Sequence, residues 1–89
     1  MEVTIKAKEY LEILRAKARI DVNGYKVLLE TDEFVLAQNK SWEFATWGKD
    51  ACGNGYYWGH YFSVYGETTE EMAFKSAYED YLERVGRSV

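Results

Sequence analysis

The segment Tyr56–Tyr65 constrains the fold more than any other, because seven of its ten residues are aromatic or histidine. Aromatic and β-branched side chains favour strands, and glycines bound the segment on both sides, so it is predicted to form a strand. Side chains alternate between the two faces of a strand. The face directed at the core is predicted to carry Tyr56, Trp58, His60, Phe62 and Val64. The opposite face is predicted to carry Tyr57, Gly59, Tyr61, Ser63 and Tyr65.

Apolar residues at helical spacing predict one helix on each side of the strand-forming region. The first runs from Val3 to Ile20, with Thr4 as its N-cap. The second opens at Thr68, which is followed three residues later by an acidic residue in a capping-box pattern, and ends at Gly86. Between the helices, the alternating segments 25–30, 34–38 and 42–47 precede the aromatic strand. The short turns between them favour antiparallel neighbours.

These patterns predict a single α+β domain over residues 1–89, since a chain of 89 residues is too short to divide its core in two. The predicted fold is a four-stranded antiparallel meander flanked by an N-terminal and a C-terminal helix, in the order α-β-β-β-β-α. Each helix has one apolar stripe, so both helices are expected to pack on the same face of the sheet. That face is predicted to consist of Tyr25, Val27, Leu29, Phe34, Leu36, Trp42, Phe44, Trp58 and Phe62.

The opposite face of the sheet would then be unusually apolar. It is predicted to consist of Leu28, Val35, Ala37, Ala45, Trp47, Tyr57, Tyr61 and Tyr65. Monomers rarely expose apolar patches larger than a few hundred Å², so we expect a second copy of the chain or a partner protein to cover this face. Tryptophan and tyrosine are favoured anchors in interfaces. The predicted partner-binding residues are therefore Trp47, Tyr57, Tyr61 and Tyr65.

Charge and cysteine content argue against several classes of partner. The net charge is −4, and Lys49 is the only basic residue between positions 41 and 74. Nucleic acid is therefore an unlikely partner, although aromatic sheets can stack bases. No apolar run approaches the ~20 residues of a membrane span, so no membrane association is expected. The single cysteine, Cys52, excludes an internal disulfide, which favours a reducing, cytoplasmic location.

His60 and Cys52 are the obvious candidates for a catalytic base and nucleophile. Five residues of strand separate His60 from the base of the preceding loop, a distance of about 15 Å, which disfavours a Cys-His dyad. We predict no catalytic residues, no metal site and no cofactor. His60 is expected to be a hydrogen-bonded structural residue, with contact to a ligand as the lesser alternative.

The segment from Phe34 to Val85 also resembles a group of small proteins carried by bacteria and their phages. The resemblance lies in Trp-Glu-Phe-Ala-Thr-Trp, in Tyr-Trp-Gly-His-Tyr-Phe and in the acidic C-terminal helix. It implies a mobile-element setting, in which small acidic domains bind and block a host protein. In size and character, although not in any specific motif, the chain is similar to anti-CRISPR and other anti-defence proteins.

The sequence therefore suggests three functions. The first is a non-enzymatic binding protein, for which the resemblance suggests a phage-encoded inhibitor of a host protein. The alternative is a protein that binds or sequesters a small, nucleotide-like ligand with its aromatic side chains and His60. The third is a small enzyme.

Overall fold

The computed structural model describes residues 6–50 and 55–87 as a two-layer α+β fold. Its elements are α1 (Ala7–Lys17), β1 (Arg19–Ile20), β2 (Lys26–Glu30), β3 (Phe34–Lys40), β4 (Glu43–Lys49), β5 (Tyr56–Ser63) and α2 (Glu70–Arg87). The strands form one antiparallel sheet in the order β1-β2-β3-β4-β5. The predicted meander is confirmed, but it contains five strands and not four.

The additional strand, β1, occupies residues that were predicted to end the first helix. That helix ends at Lys17, and Ala18 is already extended, with ψ of 145°. The Arg19 guanidinium donates two hydrogen bonds, of 3.0 and 2.6 Å, to the Glu30 carboxylate on β2. The periodicity of apolar residues along a helix cannot predict this contact between two strands. At the other end of α1, Thr4 lies outside the described residues, and Lys6 precedes the helix without a side-chain cap.

The ends of α2 also differ from the prediction. Thr69, and not Thr68, caps the helix, because its Oγ1 accepts a hydrogen bond of 3.2 Å from the backbone N–H of Met72. Gly86 lies inside the helix, which continues to Arg87, and so it does not end the helix in a left-handed conformation.

Both helices pack on one face of the sheet, as predicted, and enclose the larger of two buried clusters. Phe44 on β4 meets Phe74 on α2 edge to face, with ring centroids 5.8 Å apart. The buried members of this cluster are Leu11, Leu14, Leu28, Leu36, Phe44, Ala73, Phe74, Ala77 and Tyr81. Trp42 was predicted to belong here, but it precedes β4 and its side chain is 48% exposed.

Much of the opposite face of the sheet is also buried, by residues of the same chain, whereas a second copy of the chain or a partner protein was expected to cover it. Its buried residues are Val27, Val35, Ala37, Ala45 and Trp47, against which Tyr25 and Tyr56 pack. An irregularity in the pairing of β2 with β3 lies between Val27 and Leu29. Because it interrupts the alternation of side chains, Val27 and Tyr25 lie on this face, whereas Leu28 packs beneath the helices.

A hydrogen bond shows how the sheet encloses this second face. The Tyr56 hydroxyl, on the last strand, donates at 2.8 Å to the carboxylate of Asp21, which directly follows the first strand. In a flat sheet these two strands would lie four spacings apart, about 19 Å. The sheet therefore curls, and its concave side is filled by its own aromatic residues.

Candidate functional site

A β-bulge in β5 sets the geometry of the candidate site. Gly48 pairs with Tyr57 and Thr46 pairs with His60, so that Trp58 and Gly59 lie together opposite Trp47. Two residues against one define a bulge, which bends a strand and redirects its side chains. Trp58 has φ of 51°, the only positive value for a non-glycine residue in the described part of the chain. Bulky residues rarely adopt this left-handed conformation.

Trp58 is exposed, which corrects its predicted place in the core. Its side chain is 79% accessible to solvent and contacts the ring of Tyr57 edge to face, at a centroid distance of 5.1 Å. The Arg84 guanidinium, on α2, donates a hydrogen bond to the Trp58 carbonyl oxygen. Simple alternation along β5 placed Trp58 beneath the helices, and the bulge is the reason that it is not there.

Trp47, predicted to bind a partner, is buried and only 5% exposed. Its indole lies between the rings of Tyr25 and Tyr56, with centroid distances of 5.3 and 5.0 Å. Its Nε1–H donates a hydrogen bond of 3.1 Å to the Tyr61 hydroxyl. The prediction that Trp47 lies on an exposed surface was therefore wrong, because neighbouring aromatic rings of the same sheet cover it.

The polar end of this aromatic stack has a distinct electrostatic character. Burial raises the pKa of the Tyr56 hydroxyl to about 12, and its hydrogen bond to the Asp21 carboxylate acts in the same direction. Burial also works against ionisation of Asp21. Hydrogen bonds from the Tyr25 backbone, the Tyr56 hydroxyl and Asn23 outweigh it and lower the pKa of Asp21.

The other three predicted partner-binding residues are exposed but do not form one surface. Tyr57 lies on the helix-facing side of the sheet, since it pairs with Gly48, which alternation along β4 places on the same face as Phe44. Tyr61, 57% exposed, lies on the opposite face beside Trp47. Tyr65, 83% exposed, follows β5. The structure therefore joins Tyr57 to Trp58, and not to Tyr61 and Tyr65.

His60 is hydrogen-bonded, as predicted, although its side chain is 55% exposed. Its Nδ1 lies 3.0 Å from both carboxylate oxygens of Asp80 on α2. Asp80 also accepts hydrogen bonds from the Thr46 hydroxyl and, at 3.3 Å, from Arg84 Nε. Burial opposes ionisation of Asp80, but the hydrogen bonds from Thr46 and His60, with the charges of His60 and Arg84, lower its pKa.

The order of these hydrogen bonds differs from that of a catalytic triad. In a triad, histidine lies between the nucleophile and the carboxylate, whereas here the Asp80 carboxylate lies between Thr46 and His60. Thr46 is also fully buried. The described residues contain no group of three or more His, Cys, Asp or Glu side chains that could hold a metal ion. Cys52 lies outside the described residues.

A separate groove, with a volume of about 690 Å³, runs between the two helices. Tyr10 of α1 contacts Phe74 and Tyr78 of α2 at centroid distances of 6.2 and 5.4 Å, and these rings line it with Leu82. Lys6, Lys75, Glu71 and Glu79 are the charged residues along it. His60 does not line this groove, so the structure does not combine it with these rings.

Sequence reasoning missed Trp58 and Arg84 as members of the site. A glycine inside a strand, here Gly59, often marks a bulge, and it was the one available signal. A Cβ at Gly59 would lie 2.6 Å from the Tyr61 hydroxyl and 2.7 Å from Trp47 Nε1, so the close approach of these groups requires glycine. Nothing local in the sequence links Arg84 to a carbonyl 26 residues earlier.

No helix in the described part of the chain is long and apolar enough to cross a membrane. Comparisons with protein-family models, with curated proteins and with solved structures give no significant match. The resemblance to phage-borne proteins therefore stays a prediction, and the residues themselves carry the functional argument.

Proposed function

We propose that this chain is a non-enzymatic protein-binding module that engages its partner through the bulge surface, defined as Tyr57, Trp58 and His60. One observation carries the proposal. Trp58 is 79% exposed, it has a left-handed backbone conformation, and its carbonyl oxygen accepts a hydrogen bond from Arg84 on α2. Backbone strain of this kind costs roughly 1–3 kcal/mol and concentrates at functional sites.

The chemistry of the bulge surface favours a protein partner with an apolar pocket. Tryptophan is enriched among the residues that dominate binding energy, since it buries a large area and retains an N–H donor. A fitting pocket would enclose the Trp58 ring and offer an acceptor to its indole N–H. Other exposed apolar side chains, such as Val22 and Tyr65, have no comparable support from a second element, and scattered single residues of this kind are normal.

Charge adds a second property of the partner. The chain carries a net charge of −4, and residues 67–89 contain six acidic and three basic side chains. Complementary charge accelerates association and selects among partners, so a basic surface beside the apolar pocket is the natural complement. Under this proposal, the resemblance to phage-borne proteins adds a biological setting, namely inhibition of a host protein by occupation of its surface.

A matched pair of variants tests the proposal. Trp58→Ser removes the proposed anchor, and Trp42→Ser removes another exposed tryptophan, which is 48% accessible. The backbone of Trp42 is hydrogen-bonded to that of Val64, which lies six residues after Trp58 in the chain. The side chains of Trp42 and Trp58 are therefore attached to the sheet about 20 Å apart. Partners captured from bacterial lysate by the wild type and by Trp42→Ser, but not by Trp58→Ser, are expected. A stoichiometric partner that also binds Trp58→Ser with unchanged affinity would contradict the proposal.

A second candidate function, binding of a small molecule, is favoured by the groove between the helices. Its volume of about 690 Å³ lies within the range of ligand pockets, and aromatic rings line it. Mass spectrometry of small molecules released on denaturation tests this candidate. A metabolite that copurifies with the wild type and is lost from Leu82→Arg, which places a long side chain in the groove, would support it. A clean spectrum at stoichiometric protein concentration would count against it.

A further inference from the structure

The left-handed conformation of Trp58 requires a stabilising contact. The residue is not glycine, and its bulky side chain makes φ of 51° unfavourable on local grounds. The bulge also removes support, because the additional residue in a bulge is left unpaired in the ladder of hydrogen bonds. Thr46 and Gly48 pair with His60 and Tyr57, on either side of the bulge. The contact that holds Trp58 must therefore come from outside the strand.

Arg84 supplies that contact. Its Nη2 donates to the Trp58 carbonyl oxygen, and its Nε donates at 3.3 Å to Asp80, one turn earlier on α2. The Arg84 side chain is only 11% exposed, and its bond to Asp80 is partly buried. A guanidinium presents its donors in a rigid, planar arrangement, which allows one side chain to join a carboxylate to a carbonyl in a fixed geometry.

Asp80 is itself fixed from the sheet. Its carboxylate accepts a hydrogen bond from the hydroxyl of the fully buried Thr46, and both oxygens lie 3.0 Å from His60 Nδ1. The carboxylate therefore cannot turn freely, and it orients Arg84 toward the bulge. A continuous set of contacts thus runs from the interior of β4 through α2 to the backbone of Trp58.

We infer that Arg84 is a positioning residue, which holds Trp58 in its exposed, left-handed conformation in advance of binding. The inference rests on the proposed function for its consequence, since a preorganised anchor does not lose affinity to unproductive conformations. It has a second consequence for the partner. With the Trp58 carbonyl already engaged, the bulge is closed to an added strand, so the partner contacts the side chain and not the strand backbone.

NMR on the isolated protein tests the inference without a partner. A residue with positive φ shows a strong nuclear Overhauser effect between its own amide and Hα protons, and wild-type Trp58 is expected to show this signal. Arg84→Gln is expected to abolish or weaken this signal, and Arg84→Lys, which keeps the charge but loses the planar arrangement, to weaken it as well. Arg19→Gln, which breaks an arginine–carboxylate pair elsewhere on the sheet, is the control and should leave Trp58 unchanged.

Two outcomes would overturn the inference. One is an unchanged Trp58 signal in both Arg84 variants. The other is unfolding of both variants, which would make Arg84 a structural residue. We do not expect this, because Arg84 belongs to neither buried cluster. Once a partner is known, a variant with a tenth of its molecules in the competent conformation should bind about tenfold more weakly. Unchanged binding by Trp58→Ser would instead refute the proposed function, and the NMR result would stand independently.

Discussion

Two tryptophans that lie opposite each other in the β4–β5 ladder have opposite environments. Trp47 is 5% exposed and Trp58 is 79% exposed. Trp47 has aromatic rings on both sides and an acceptor for its indole N–H, whereas the ring of Trp58 contacts that of Tyr57 and its backbone is held by Arg84. Both residues are tryptophans, so the type of residue does not explain the difference in exposure. The bulge exposes Trp58, whereas the curl of the sheet encloses Trp47.

The two environments also differ in how their polar groups are satisfied. In the buried stack, the Trp47 N–H donates to Tyr61 and the Tyr56 hydroxyl donates to Asp21. Buried polar groups are tolerated when they are paired in this way. At the bulge, hydrogen bonds fix the backbone and leave the ring in solvent. The buried stack therefore stabilises the fold, whereas the bulge presents a side chain to solvent. Variants at the two sites should differ accordingly in their effects on stability.

The largest expected effect is that of Trp47→Ala. Removing a buried aromatic side chain leaves a cavity, and such substitutions typically cost about 3–5 kcal/mol. Here the variant would also remove the ring on which both Tyr25 and Tyr56 stack. Chemical denaturation should show a correspondingly lower midpoint. A midpoint equal to that of the wild type would mean that the stack does not support the concave face.

Gly59→Ala should have the next largest effect. The new Cβ would lie within 3 Å of both Trp47 Nε1 and the Tyr61 hydroxyl, and overpacking of this kind costs about 1–3 kcal/mol. Gly55→Ala is the matched control, since a Cβ there meets no atom within 4 Å. The prediction fails if thermal unfolding gives the two variants the same loss of stability.

Tyr56 gives a pH dependence of intermediate size. Its pKa is raised to about 12 in the folded protein, above the ordinary value of 10.0, so the fold favours the neutral hydroxyl. The resulting stability is fully present below pH 10 and is lost as the pH rises toward 12, by on the order of 1–2 kcal/mol after allowance for partial exposure.

Tyr56→Phe isolates this contribution, because burial also raises the pKa values of Tyr10 and Tyr81 and these residues act in the same pH range. Urea midpoints measured at intervals from pH 9 to 12 should fall less steeply for the variant than for the wild type. Parallel curves would show that ionisation of Tyr56 does not contribute to the loss of stability at high pH.

The smallest effect is expected from Trp58→Gly. Glycine adopts φ of 51° without strain, which offsets its greater entropy in the unfolded chain and the lost contact with Tyr57. Stability should remain within about 0.5 kcal/mol of the wild type. A loss of 2 kcal/mol or more in a denaturation experiment would place Trp58 among the structural residues and remove the contrast with Trp47.

The regular parts of the fold were predictable from sequence because their patterns are local. Phe34 and Leu36 face the helices while Val35 and Ala37 face away, as alternation along β3 requires. The packing of both helices on one face followed from their apolar stripes. The order of the strands followed from the short turns.

The rest depended on contacts that no local pattern encodes. Alternation fails at Val27 and Trp58 because each lies at an irregularity of the ladder. The burial of Trp47 depends on the curl of the sheet, which joins Tyr56 to Asp21, 35 residues apart. Arg84 acts on Trp58 through a contact that spans 26 residues of the chain. Trp58, the central residue of the candidate site, is therefore one at which the alternation of side chains along a strand fails.

The exchange of indole N–H protons with solvent tests the contrast between the two tryptophans most directly. The three indole signals can be assigned by nitrogen–proton NMR of the wild type, Trp42→Phe and Trp58→Phe. Because Trp47 Nε1–H is buried and hydrogen-bonded, we predict that it exchanges only when the protein unfolds, while Trp58 exchanges at the rate of a free indole. A protected Trp58 beside a rapidly exchanging Trp47 would contradict both the assignment of the core and the proposed binding surface.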